Sequence, residues 1–240
     1  MSDTFVLRIL RAEPGARARW VQGEVELDEG ATLLDALELL RERGGPFTGL
    51  AFRAACRHGA CGECSVEANG RGALSCMKTL GALAGRRRRV TVEPLRGLPV
   101  LRDLVVDRAR FFAAFQSVRP WLVPAPALPT RENLMTPAEL AAMRGADACI
   151  LCGICAAACP VVQPHGAFSG PAAMLKLLGR ANDPRDADSA DRIARSRASS
   201  GAYRCHGALS CSEVCPRDLD PASAIVALRV ARERPAPGRP

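Results

Sequence analysis

A chain of 240 residues with 48% hydrophobic and only 4% aromatic side chains is long enough for two globular domains. Its net charge of +8 comes from 31 arginines and two lysines, Lys78 and Lys176; the bias suits a GC-rich coding preference, and no nucleic-acid motif accompanies the charge. Eleven cysteines would leave one unpaired as disulfides; no signal peptide or twin-arginine leader is recognisable, and a reducing cytoplasm keeps thiolates free for metal.

Residues 4–10 alternate apolar and polar side chains as a strand does, and residues 20–27 do so less strictly, with a turn-rich loop at 12–18. Residues 31–43 set Leu33, Leu34, Leu37 and Leu40 at helical spacing, and Gly44-Gly45-Pro46 ends that helix. Four cysteines follow as Cys56-x4-Cys61-x2-Cys64-x11-Cys76, the spacing of plant-type [2Fe–2S] loops. Gly59 and Gly62 lie inside it, where the backbone must fold around inorganic sulfide and aim N–H groups at it. His58, in the same loop, is expected to pack or be solvated. Short strands are expected at 64–68 and 90–93. The run Arg86-Arg87-Arg88-Arg89 before the latter reads as a solvated turn or a partner-facing patch. Two strands, a helix, a cysteine loop and more strands make a β-grasp [2Fe–2S] domain, placed at residues 1–98.

Residues 99–240 read as helical. An amphipathic helix is expected at 103–118, ended by Pro120, and the four prolines of 120–130 suggest an extended connector. Thr136-Pro137-Ala138-Glu139 is a capping box with proline at the first helical position. Next comes Cys149-x2-Cys152-x2-Cys155-x3-Cys159-Pro160, the bacterial ferredoxin run. It sits in the longest apolar stretch, residues 148–162, which is too short to span a membrane and holds Gly153 and Pro160. Helices are expected at 171–178, at 184–198 and from a cap at Asp220-Pro221 to about 232, with a disordered tail at 235–240. Trp20 and Trp121 read as core or interface residues, and Tyr203 as a shield for a neighbouring cluster.

The last cysteines repeat the ferredoxin run about 56 residues on, as Cys205-x2-Ala208-x2-Cys211-x3-Cys215-Pro216. Ala208 stands where the second ligand would be. A methyl group cannot bind iron, so this cluster is expected to be [3Fe–4S]. In such repeats the fourth cysteine of each run ligates the other cluster. That assigns Cys149, Cys152, Cys155 and Cys215 to [4Fe–4S], and Cys159, Cys205 and Cys211 to [3Fe–4S]. Structural zinc is the competing use of these thiols, but eleven cysteines do not divide into four-coordinate sites without histidine. The fold class is therefore α+β, a β-grasp ferredoxin domain followed by an α-helical ferredoxin domain. No dinucleotide fingerprint, phosphate loop or nucleophile–base set is present, so the chain reads as an electron relay.

The three clusters in this order resemble the iron–sulfur subunit of succinate dehydrogenase and fumarate reductase. The resemblance runs from Phe5 to about Arg232. It includes residues 101–107 (LRDLVVD), 169–173 (SGPAA) and 211–216 (CSEVCP). It implies electron transfer between the FAD of a flavoprotein subunit and a membrane quinone, in either direction. It also implies a membrane anchor, in some members carrying haem b, that holds the chain peripherally on the cytoplasmic face of the plasma membrane. By position, Pro160, His206, Ala208 and Arg229 match family residues near the quinone. Many succinate dehydrogenases have a tryptophan where this chain has Pro164; His165 follows it, and the departure favours menaquinone over ubiquinone. A soluble or thiol-linked fumarate reductase, or a related two-domain electron carrier, is the alternative setting.

Overall fold

β1 (Asp3–Arg11) and β2 (Arg19–Leu27) pair antiparallel, in register from Asp3 opposite Leu27 to Arg11 opposite Arg19. Their alternation turns Phe5, Leu7, Ile9, Val21 and Val25 to one buried face. The computed structural model describes residues 3–13, 15–124, 132–143, 145–162 and 168–231. These belong to two compact units: Met1–Arg108 with Ile150–Ala158, and Ala109–Cys149 with Cys159–Pro240.

In the first unit β3 (Ser65–Ala68), β4 (Arg71–Leu74) and β5 (Arg89–Glu93) complete a five-stranded sheet of order β2-β1-β5-β3-β4. β5 runs parallel to β1, and the other pairings are antiparallel. α1 (Leu33–Arg43) crosses this sheet. Thr32 caps it: its hydroxyl accepts from Asp35 N, while the Asp35 carboxylate accepts from Thr32 N at 2.8 Å. Leu33, Leu34, Leu37 and Leu40 are each at most 2% exposed. Burying each contributes about 1.5–3 kcal/mol. α2 (Leu80–Ala84) follows β4. The arginine run begins in a 3-10 turn, Gly85–Arg87, and Arg88 pairs with Asp3 at 2.8 Å.

The expected helix at 103–118 is shorter than its pattern. Residues 100–106 instead form a hairpin of β6 (Val100–Arg102) and β7 (Val105–Val106), and only α3 (Ala109–Ser117) is helical. The cause is Asp103, which takes a left-handed backbone (φ 47°) and buries its carboxylate completely. That carboxylate accepts from Arg11 Nε (3.0 Å), Arg11 Nη2 (3.1 Å) and Ala51 N (2.9 Å). A bidentate buried pair outweighs local helical period. It also packs residues 99–108 with the first unit, although they read with the helical half in sequence.

The second unit contains α4 (Pro137–Met143), α6 (Pro171–Asn182), α7 (Ser189–Arg197), α8 (Ser210–Glu213) and α9 (Pro221–Val230); α5 (Ile154–Ala157) belongs to the first. The capping box at Thr136 and Glu139 forms as expected, with Glu139 accepting from Thr136 N at 2.8 Å. Met174 and Leu177 of α6 pack with Ile225 and Leu228 of α9 around Phe168 and Val161. A Cβ at Gly179 would lie 2.2 Å from that of Ala146, so the chain before Cys149 lies directly on α6. The expected helix at 184–198 begins only at Ser189. Asp183 and Asp186 capture the backbone N–H groups of Arg185 and Asp188 at 3.1 and 3.0 Å, which makes turns instead. Trp20 and Trp121 are outside the core, at 38% and 53% exposed, and Trp20 lies under Arg8 at 4.3 Å. Residues 125–131 of the connector, Pro164, His165 and the tail from 232 lie outside the described residues.

Candidate metal centres

The first cysteine set sits where the chain leaves the sheet. Cys64 immediately precedes β3, and Cys76 follows β4, which pairs with it. This pairing brings the two thiols together, with Sγ atoms 3.3 Å apart and both residues buried. Cys56 and Cys61 lie on the half-buried loop before them. Cys56 Sγ accepts from Ala60 N (3.2 Å) and Cys61 N (3.3 Å), and Cys61 Sγ accepts from Glu63 N (3.5 Å). The backbone N–H of His58, with help from Cys61, lowers the Cys56 thiol to about 6. Burial, reinforced by Cys64, pushes Cys76 up to about 11. One thiol is thus ionised at neutral pH, while another keeps its proton there until a metal displaces it.

Gly59 and Gly62 take φ of +75° and +70° in this loop. A Cβ at Gly62 would also stand 2.8 Å from Cys152 Cα, so only glycine lets the loop meet the first ferredoxin run. Ser65 Oγ lies within hydrogen-bonding distance of two carbonyls there, Gly62 O at 2.7 Å and Cys152 O at 2.8 Å. Cys152 is buried and Cys155 half-buried on that run. Cys149 and Cys215 are half-buried in the second unit. Lys176 on α6 feels the charges of Cys149 and Asp147, while burial lowers its pKa.

The second unit holds the third set. Cys159, Cys205 and Cys211 line one largely apolar pocket together with Pro160, Val161, Phe168, His206, Ala208 and Ile225. Burial raises the Cys211 thiol, and the nearby Cys159 and Cys205 raise it further. Ala208 lines this same pocket. Three thiols and no fourth suit a three-iron cluster, and the apolar lining suits a site shielded from water. His206 is an exposed part of the rim. Arg229 does not line this pocket. Its guanidinium donates to Ala202 O (3.2 and 3.1 Å) and Cys205 O, holding the backbone that carries Cys205. Tyr203 Oη donates to Arg229 O at 3.0 Å and its ring is 61% exposed.

Sequence reasoning brought the cysteines of the first set together, and likewise Pro160, His206 and Ala208 with Cys159, Cys205 and Cys211. It missed the Ser65 bridge, the hold of Arg229 on Cys205, and a buried contact of Arg108 with the Cys61–Cys64 loop. None has a local signal, because each joins residues far apart in the chain. Among the described residues no three His, Cys, Asp or Glu side chains are arranged to hold a single metal ion. No described helix is long and apolar enough to cross a membrane.

Two family models match. Residues 6–113 match a 2Fe-2S iron-sulfur cluster binding domain, and residues 145–219 match a 4Fe-4S dicluster domain. The chain is 36% identical over 226 residues to the succinate dehydrogenase iron-sulfur subunit of Coxiella burnetii, covering 92% of this chain and 94% of that one. It is 39% identical over 231 residues to the fumarate reductase iron-sulfur subunit of Mycobacterium tuberculosis, covering 94% and 91%. A chain of the Mycobacterium smegmatis Sdh1 complex in the apo form superposes with a TM-score of 0.86 at 28% identity, covering 95% of each chain.

Proposed function

The chain belongs to the family of succinate dehydrogenase and fumarate reductase iron-sulfur subunits, and from that premise we propose that it relays electrons between a flavoprotein's FAD and a membrane quinone. The clusters supply reversible one-electron storage when bound; the chain's residues hold them, space them and exclude water. Cys56, Cys61, Cys64 and Cys76 hold [2Fe–2S]. Cys149, Cys152, Cys155 and Cys215 hold [4Fe–4S], and Cys159, Cys205 and Cys211 hold [3Fe–4S].

The observation that carries this reading is the Ser65 bridge. One hydroxyl, 2.7 and 2.8 Å from its two partners, ties the first cysteine loop to the backbone of Cys152. Ligands of consecutive clusters are therefore neighbours, which a relay needs and independent structural sites do not. At the far end, the pocket at Cys159, Cys205 and Cys211 is rimmed by Pro160, His206 and Ala208, three of the four residues assigned to the quinone. Arg229 serves that end by fixing the Cys205 carbonyl. Membrane attachment comes from an anchor subunit with its cytoplasmic face toward this chain, and menaquinone is the favoured acceptor or donor.

The test is electron paramagnetic resonance on the anaerobically purified complex during stepwise reduction, together with metal analysis. The oxidised sample gives a [3Fe–4S] signal, reduction brings up [2Fe–2S] and [4Fe–4S], and iron approaches nine atoms per chain by the usual cluster counts. In Ala208→Cys the oxidised [3Fe–4S] signal disappears as a fourth iron binds. An unchanged signal in that variant, or zinc in place of iron, overturns the assignment.

A further inference from the structure

The loop between Cys61 and Cys64 consists of Gly62 and Glu63, and both are held by one side chain from far along the chain. Arg108 is 6% exposed. Its Nη1 donates to Gly62 O at 3.4 Å and its Nη2 pairs with the Glu63 carboxylate. Glu63 keeps its outer side toward solvent, at 35% exposed, with Arg53 at 3.8 Å. Its own N–H points at Cys61 Sγ. A buried cation and its counter-charge thus stand one residue from two cluster ligands. Three facts limit what the pair can be doing. Its guanidinium bonds both residues that lie between the ligands Cys61 and Cys64. The guanidinium is more deeply buried than the carboxylate, so water screens the two charges unequally. Neither side chain is a metal ligand in the cysteine count.

We propose that the Arg108–Glu63 pair sets the reduction potential of the cluster held by Cys56, Cys61, Cys64 and Cys76, its two charges acting in opposite directions. Reduction places one more electron on the cluster and its thiolates. A nearby buried cation favours that reduced form and a nearby carboxylate opposes it, by the same Coulomb argument that governs a pKa. The inference rests on the [2Fe–2S] reading above.

Opposed shifts in single variants are the signature. The midpoint of the [2Fe–2S] centre is read by redox titration of the purified complex, followed by paramagnetic resonance, with iron content measured in each variant. Arg108→Met removes the buried cation and leaves Glu63 with only the more exposed Arg53 as a counter-charge. The reduced-to-oxidised ratio at the parent midpoint then falls about tenfold, which is a lowering of about 59 mV for a one-electron couple. Glu63→Gln leaves the guanidinium uncompensated and raises that ratio several-fold. The double variant returns toward the parent value. Arg108→Lys keeps the charge while weakening the loop contact, so its midpoint stays near the parent's even where iron occupancy falls. Single variants that both shift the midpoint the same way, or neither way, with iron retained, make the pair structural and overturn the proposal. So does an Arg108→Lys midpoint as low as that of Arg108→Met. Absence of any [2Fe–2S] signal in the parent complex would instead remove the underlying reading.

Discussion

The first and last cysteine sets solve the same problem with different materials. Around Cys56 and Cys61 the sulfurs are met by backbone N–H groups on a half-exposed loop. Around Cys159, Cys205 and Cys211 the thiols line a largely apolar pocket, where Cys205 Sγ accepts from Gly207 N at 3.4 Å. Hydrogen bonds to sulfur and exclusion of water both tune cluster potential. An N–H-rich loop stabilises negative charge, while an apolar pocket disfavours it and leaves the charge of the cluster itself in control. The supports differ as well. The first loop hangs from paired strands, whereas the pocket is closed by loops and short helices that need their own buried anchors.

The largest effects should come from those anchors. Arg192 is fully buried and donates to Asp186 Oδ2 at 2.9 Å, Trp121 O at 2.9 Å and Arg119 O. Asp186→Ala leaves that cation without a counter-charge, and the second unit loses about 3–5 kcal/mol. Arg11 in the first unit likewise keeps two carbonyls, Pro46 O (2.9 Å) and Thr48 O (3.0 Å), when Asp103 is removed, but it is 8% exposed where Arg192 is fully buried. Asp103→Ala therefore falls at the lower end of that range. Chemical denaturation followed separately in each unit checks the order. Losses below about 1 kcal/mol in both would show that the pairs are replaceable.

A smaller effect distinguishes the pocket's rim from its interior. His206 is exposed beside Cys205, and no sulfur–imidazole bond ties it to the core among the described residues. His206→Ala slows quinone turnover about tenfold, roughly 1.4 kcal/mol, while transfer to a soluble artificial acceptor changes little. Equal losses in both assays would make the imidazole a support for the cluster loop instead.

What the sequence discloses follows from distance along the chain. The cysteine runs were legible because spacing within each run is local, and β1, β2 and α1 because their apolar periods are. The segment 99–108 was misread because the partner of Asp103 is Arg11, 92 residues away, and no local pattern encodes it. The same holds for Ser65 with Cys152, 87 residues apart, and for Arg108 with Glu63, 45 apart. The start of α7 was misplaced because Asp183 and Asp186 look like ordinary helix-surface acids until their N–H partners are seen. Arg229 was assigned to the quinone by position. Its geometry also gives it two carbonyls, Ala202 O and Cys205 O, a contact across 27 and 24 residues that no local pattern announces.

The finest distinction between the two sets lies in the acidity of their thiols. In the iron-free chain Cys56 is held near 6 by the N–H of His58 and its neighbours, so its thiolate predominates above that pH. Cys76 is pushed to about 11, and Cys211 is raised by burial, so both remain thiols through the neutral range. Thiolates, not thiols, attack alkylating agents. Brief treatment with iodoacetamide at pH 7 should therefore label Cys56 first, with Cys211 and Cys76 far behind, as read by peptide mass spectrometry. Lowering the pH through 6 suppresses the labelling of Cys56, because its proton returns. Raising the pH from 7 to 9 changes Cys56 little but accelerates the others. If Cys56 and Cys211 were labelled at equal rates at pH 7, the contrast between an N–H-lined loop and an apolar pocket would fail for the iron-free chain.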